Sequence, residues 1–252
     1  TVLTCLGENI KDACEAAKVT NHYLMVLDRI CEAGLETEIS VKLSHMGLDL
    51  GKNLCYSNFT QLIERAGQKS MVWIDMESSP YVDCTLEIFH RARREYPNVG
   101  VCVQAYLHRT AEDLEALVAM GAAVRLVKGA YREPPDVAIQ RKKDIDENYF
   151  TLAQRMLSRE ARAAGMRAAI GTHDPRLIRR IQEWALANQI PKDGHFEFQM
   201  LFGIQRKLQL QLAQEGWKSV VLIAYGDYWF PWFMRRLAER PANALHVVRN
   251  LF

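Results

Sequence analysis

The stretch Arg125-Leu-Val-Lys128-Gly-Ala-Tyr131 sets two positive charges three residues apart, where an apolar run gives way to a glycine and an aromatic. A strand needs no charges at that point. A bound anion, or a ring that gains negative charge, does. Other apolar runs end on polar residues too: Glu8, Lys42 and Ser44, Asp75 and Glu77, Gln104, Gly171-Thr-His-Asp174, and Glu197 with Gln199. Further on, an amphipathic stretch carries Arg235-Arg236. Each residue has a plainer explanation. Lys42, Asp75 and Glu77 could form a structural ion network, His173 could be an ordinary hydrogen-bonded histidine, and Arg235-Arg236 could be a solvated helix face. The plain explanation weakens because the pattern recurs at one end of nearly every run. The cluster Tyr225, Tyr228, Trp229, Phe230, Trp232 and Phe233 beside the twin arginines suits a pocket wall or lid, although core packing would also account for it. Together these positions offer a carboxylate (Asp75), cations (Lys42, Arg125, Lys128, Arg235, Arg236) and neutral partners (Gln104, Thr172). Cations outnumber anions, which favours ligands bearing phosphate and carboxylate groups. A pair of guanidinium groups suits bidentate carboxylate capture.

Those residues need a scaffold that brings strand ends together. Strand-like runs are expected at 2–6, 38–43, 71–76, 99–104, 123–127, 167–171, 195–199 and 219–224. Helical patterns lie between them, at 12–33, 57–66, 85–95, 111–120, 144–164, from 174 onward, and at 205–215. Ser57 is the expected cap of the second helix, and Asp174-Pro175 the expected start of the seventh-strand crossover. A last helix is expected over 231–240, with a short tail at 244–252. Eight strands, each followed by a helix, predict an α/β fold, a closed (β/α)8 TIM-type barrel with chemistry at the carboxyl ends of its strands. The final helix would carry Arg235-Arg236 over that mouth. An open doubly wound sheet is the alternative. No linker, low-complexity segment or repeat divides residues 1–252, so a single barrel domain is expected.

Composition narrows the function classes. The 252 residues carry a formal net charge of +2, with basic residues scattered rather than blocked, so general nucleic-acid binding is not expected. No apolar run approaches the roughly 20 residues of a membrane span. No basic leader precedes an apolar stretch, so no signal peptide is expected; the missing initiator Met is what an excised piece would show. The six cysteines contain no C-x-x-C pair and read as free thiols in a reducing compartment. The glycine-rich dinucleotide fingerprint, the P-loop, the nucleophile elbow and the zincin motif do not occur, and no metal site is predicted.

The chain resembles the catalytic domain of FAD-dependent proline dehydrogenases of the short monofunctional bacterial kind. The segments that carry the resemblance are Leu6-Gly-Glu8, Ser40-Val-Lys-Leu-Ser44, Ile74-Asp-Met-Glu77, Val103-Gln-Ala-Tyr106, Arg125-Leu-Val-Lys-Gly-Ala-Tyr131, Gly171-Thr-His-Asp174, Phe196-Glu-Phe-Gln199 and Phe233-Met-Arg-Arg-Leu-Ala-Glu239. The resemblance implies oxidation of L-proline to 1-pyrroline-5-carboxylate by hydride transfer to FAD, with a quinone reoxidising the flavin. It implies a cytoplasmic protein with peripheral contact at the inner face of a membrane. By position, Asp75 and Arg125 match the catalytic pair. Lys42, Tyr131, Arg235, Arg236 and Glu239 match substrate-pocket residues. Met76, Gln104, Arg125, Lys128, Gly129, Ala130, Thr172, His173 and Glu197 match the cofactor site. Asp75 is expected to pair with Lys42.

The chain also departs from the family pattern. The family's N-terminal helical arm is not seen, Thr4 stands where an acidic gate residue is usual, Leu222 replaces a pocket tyrosine, and Trp232 stands where tyrosine is common. These departures keep other readings open: a 4-hydroxyproline dehydrogenase, a Schiff-base lyase or aldolase barrel using Lys42 or Lys128, or a non-catalytic amino-acid binder.

Overall fold

Strands buried on both faces require continuous apolar runs, and the chain supplies them: every residue of β4 (Val99–Gln104) is buried. The computed structural model describes residues 1–192 and 195–230. Within it, β1 (Val2–Cys5), β2 (Glu38–Val41), β3 (Val72–Ile74), β4, β5 (Ala123–Val127), β6 (Arg167–Gly171), β7 (Phe196–Leu201) and β8 (Ser219–Tyr225) form one closed parallel barrel in chain order. Closure is made where β8 pairs with β1, Val2 opposite Leu222 and Cys5 opposite Tyr225. That pairing removes the open-sheet alternative.

The crossovers are α1 (Ala13–Glu32), α2 (Lys52–Ala66), α3 (Val82–Arg93), α4 (Thr110–Ala119), α5 (Lys142–Met156), α6 (Arg159–Ala163), α7 (Pro175–Ala187) and α8 (Arg206–Gln214). In α1 the buried residues Ala16, Thr20, Tyr23, Leu27 and Ile30 recur at three- and four-residue spacing, one stripe of the helix. Burying each large side chain of that kind stabilises the fold by about 1.5–3 kcal/mol. Asp12 caps α1 by accepting from the Glu15 N–H at 2.9 Å. Asp174 caps α7, with Pro175 at the first helical position, as the sequence predicts.

Two helices depart most from expectation. The second helix begins at Lys52, not at Ser57, whose backbone carbonyl instead accepts from the Thr60 and Gln61 side chains inside the helix. The single helix expected over 144–164 is two: Leu157 closes α5, and the Ser158 hydroxyl accepts from the Ala161 N–H to start α6.

The barrel has two interior levels that matter for the site. At the amino end, Val2, Trp73, Ala123 and Ala169 form a small apolar cluster, with Leu222 packed against it. Gly100 permits it, because a Cβ there would lie 2.5 Å from the Trp73 ring. Around this cluster Arg167 bonds Glu38 at 2.6 Å and Glu197 at 2.9 Å, and Lys218 bonds Glu197 at 2.8 Å. Outside the barrel, Phe196 and Phe198 pack on Trp217, so the period-two alternation of β7 turns Glu197 and Gln199 into the lumen. All six cysteines are free; Cys55 and Cys102 are buried, whereas Cys14 and Cys31 are exposed. Among the described residues no helix is long and apolar enough to cross a membrane.

Candidate active site

Arg125 points inward from the middle of β5 and is 3% exposed. A buried guanidinium must be compensated, and the lumen does so from three strands. Its Nη1 donates to Asp75 at 2.8 Å and to the Ser40 hydroxyl at 3.0 Å, and its Nε donates to Gln199 at 2.6 Å. Ser40 in turn donates to Asp75 at 2.7 Å. Asp75 stands just past β3 and keeps 23% side-chain exposure, so this carboxylate is the part of the pair that a ligand at the mouth can reach. The Trp73 ring lies 4.7 Å from the guanidinium, a cation–π contact from below. Arg125 Nη2 is buried and has no partner among the described residues.

Lys42, just past β2, pairs with Glu8 at 3.1 Å. The expected Lys42–Asp75 pair is therefore not formed: Asp75 is taken by Arg125 and Ser40, and the neighbouring β1 loop brings Glu8 to the lysine. The carboxylate at this side of the mouth comes from Glu8, while Thr4 is buried in β1. Beside them Glu77 is 2% exposed. Burial pushes its carboxyl up, against the Ser44 hydroxyl and backbone N–H that bind it. His45 is pushed down to about 4, first by burial and then by the Lys42 charge. It packs so closely that a Cβ on Gly7 would fall 2.2 Å from its ring.

Across the mouth, the Gln104 amide donates to the Met76 carbonyl at 3.3 Å, and its Oε1 is buried without a partner among the described residues. Lys128 bridges Asp146 at 2.5 Å and Asp174 at 2.8 Å. Burial alone would raise the Asp174 carboxyl, but the hydrogen bond and charge of Lys128 hold it at about 2. Gly129 follows with φ +117°, where a Cβ would lie 2.2 Å from the Tyr106 ring. Bare backbone is required there, at a place where chain and ring meet edge to edge. Ala130 and Tyr131 continue this half-buried loop. Thr172 accepts from the Asp174 N–H at 3.2 Å, and His173 Nε2 accepts from the Leu201 N–H at 2.8 Å.

Lys42, Asp75, Met76, Gln104, Arg125, Lys128, Gly129, Ala130, Tyr131, Thr172 and His173 thus all come from the carboxyl halves of strands or the loops after them. Glu197 does not join them. It is 1% exposed and paired with Arg167, the first residue of β6, and with Lys218, just before β8, so it belongs to the opposite end of the barrel. Arg235, Arg236, Glu239 and Trp232 lie outside the described residues. Sequence reasoning assigned no role in the site to Ser40, Glu8, His45, Asp146 or Asp174, the last of which it read as a helix cap. Glu8 and Asp174 were visible as polar strand ends; Asp146 lies inside α5, where a charge reads as a solvated face. Among the described residues no cluster of side chains could hold a metal ion.

The family model for proline dehydrogenase matches residues 1–249. Proline dehydrogenase 2 of Bacillus subtilis strain 168 is 39% identical over 98% of this chain and 80% of its own length. The proline dehydrogenase of Deinococcus radiodurans is 37% identical over 99% of this chain and 80% of its own. Among solved structures, proline utilization A from Bdellovibrio bacteriovorus, inactivated by N-propargylglycine, superposes with a TM-score of 0.84 at 24% identity. That match covers 94% of this chain and 29% of the larger protein, and it shows the barrel fold. The chain belongs to the proline dehydrogenase family.

Proposed function

We propose that this chain oxidises L-proline to 1-pyrroline-5-carboxylate, with FAD as the bound electron acceptor and a quinone as the final one. The family is generally flavin-dependent. The observation that carries the reading is a buried acceptor and a buried donor on neighbouring strands, Gln104 Oε1 in β4 and Arg125 Nη2 in β5, neither of which has a partner among the described residues. Orphaned buried polar groups are costly, and a flat ring with a polar edge would satisfy both. The bare backbone at Gly129 and the third N–H of Lys128, beyond the two given to Asp146 and Asp174, suit the rest of a dinucleotide, so the residues present fit FAD.

FAD, when bound, supplies the two-electron acceptor that no side chain here provides. Met76, Gln104, Arg125, Lys128, Gly129, Ala130, Thr172 and His173 would hold it. The permanent charge of Arg125 would stabilise negative charge developing beside it, an electrostatic contribution of a few kcal/mol in a buried site. Lys42, Tyr131, Arg235, Arg236 and Glu239 would bind the substrate, the cations gripping its carboxylate so that the ring carbon next to the amine is held in one place. Asp75 would draw the amine proton. The ion pairs of Lys42 and Lys128 tie up the nitrogen that a Schiff base needs. A quinone acceptor would place the working protein in the cytoplasm, peripheral to the inner face of a membrane.

The test is the absorbance of the purified protein under anaerobic conditions. A flavin spectrum bleached by L-proline supports the reading. A yellow protein that proline leaves unchanged, or a colourless one trapped by borohydride with a carbonyl substrate, overturns it.

A further inference from the structure

We infer that Gln199 is a positioning residue for Arg125, and that it is itself oriented by Glu197 through a hydrogen-bonded column running down the barrel lumen. The inference rests on the role given to Arg125 above. The column is continuous from one end of the barrel to the other. Lys218 and Arg167 hold Glu197 at the amino end, with Arg167 reaching both carboxylate oxygens, at 2.9 and 3.0 Å. Glu197 Oε1 accepts from Gln199 Nε2 at 2.6 Å, and Gln199 Oε1 accepts from Arg125 Nε at 2.6 Å. Arg125 then reaches Ser40 and Asp75 at the mouth.

Direction is what makes the arrangement specific. A primary amide can present either its oxygen or its nitrogen to a neighbour. An ionised carboxylate only accepts and a guanidinium only donates, so Glu197 below and Arg125 above together hold the Gln199 nitrogen downward and its oxygen up. Glu197 is kept ionised: burial alone would raise it, but the charges of Arg167 and Lys218 and the bond from Gln199 outweigh burial. Gln199 and Glu197 are 4% and 1% exposed, so water does not compete for these bonds. At the guanidinium, Asp75 and Ser40 fix Nη1 and Gln199 fixes Nε. With two of its nitrogens held, the plane can adopt one orientation, and the unpartnered Nη2 is aimed in a single direction. Sequence alone reads Glu197 and Gln199 as two more strand-end polar groups. Their place beneath Arg125 gives them the task of orienting it.

The experiment measures the charge felt by the flavin in the intact holoprotein, through sulfite affinity and two-electron midpoint potential. A positive group near the ring favours both sulfite addition and reduction. Gln199→Met removes the acceptor at similar size. It is expected to weaken sulfite binding about tenfold or more, the ratio that a hydrogen bond to a charged group is worth. The same factor lowers the potential by about 30 mV. Glu197→Gln replaces a charged, accept-only partner by an amide that can present either end, which loosens its hold on Gln199, and is expected to shift both readouts in the same direction by a smaller amount. Asn98→Ala removes bonds to the Ile63, Gly67 and Ser70 carbonyls away from the column, and is expected to lower the Tm while leaving both readouts at wild-type values. Wild-type sulfite affinity and potential in Gln199→Met, or in Glu197→Gln should the former not fold, overturn the inference. Arg125→Gln separates the two ideas. If it weakens sulfite binding while the column variants do not, only the positioning inference fails. If it too has no effect, the role of Arg125 fails first.

Discussion

Asp75→Asn removes the charge opposite a guanidinium that is 4% exposed while changing little else in shape. Breaking a fully buried ion pair by neutralising one partner costs roughly 3–5 kcal/mol. Two features of this pair reduce that. Asp75 keeps 23% exposure, so water partly compensates Arg125. The asparagine oxygen also still accepts from Arg125 and Ser40. The expected loss is therefore about 2–3 kcal/mol. A domain of this size loses about 2–4 °C of Tm per kcal/mol, so the midpoint should fall by about 4–12 °C. Urea and thermal unfolding of Asp75→Asn, of Arg125→Met and of the double variant form a cycle. The contacts at 2.8 Å predict a coupling energy above about 1 kcal/mol. A single variant within about 0.5 kcal/mol of wild type, together with additivity in the cycle, would refute the reasoning that Asp75 compensates the buried charge of Arg125.

Other outcomes follow from neighbouring residues. His45 is held neutral, down to about 4, by burial and by Lys42. The unfolded chain takes up this proton near pH 6.5 and the folded chain only near 4, so stability should fall as pH drops through that window. The urea midpoint between pH 7 and 4.5 should drop less in His45→Gln than in wild type; an equal drop would count against the burial argument. Gly129→Ala forces a residue with a Cβ into φ +117° against the Tyr106 ring, a backbone cost of about 1–3 kcal/mol. It should purify with less bound flavin and unchanged far-UV circular dichroism, whereas full flavin content would show that the loop has room to adjust. Leu222→Tyr should change the ratio of kcat/KM for proline over 4-hydroxyproline, because Leu222 lies in β8 opposite Leu201, the last residue of β7, so a larger side chain there is set toward the carboxyl end of the lumen. An unchanged ratio removes that idea.

The barrel was legible because its strands are continuous apolar runs and each is followed by a helix stripe, signals that survive without tertiary context. Arg125, Lys128 and Gln104 were legible for the opposite reason, as polar groups that a strand does not need. Height along the lumen was not. Period-two alternation says which face Glu197 takes, but only the barrel's stagger puts it beside Arg167 and Lys218, below the mouth. Pairing across strands was hidden too. Lys42 was matched to Asp75, and the choice of Glu8 depends on the path of the β1 loop. The break between α5 and α6 escaped because Leu157-Ser158 keeps an acceptable helical pattern, and a serine signals a cap only when the backbone already turns.

The central claim is that groups from separate strand ends converge on one mouth to hold a flavin. An experimental structure of the protein with FAD and a proline analogue tests it most directly. The ring is expected at the carboxyl end of the barrel, with Gln104 Oε1 and Arg125 Nη2 both newly hydrogen-bonded to it. A flavin bound elsewhere, or one that leaves those two atoms without partners, would contradict it.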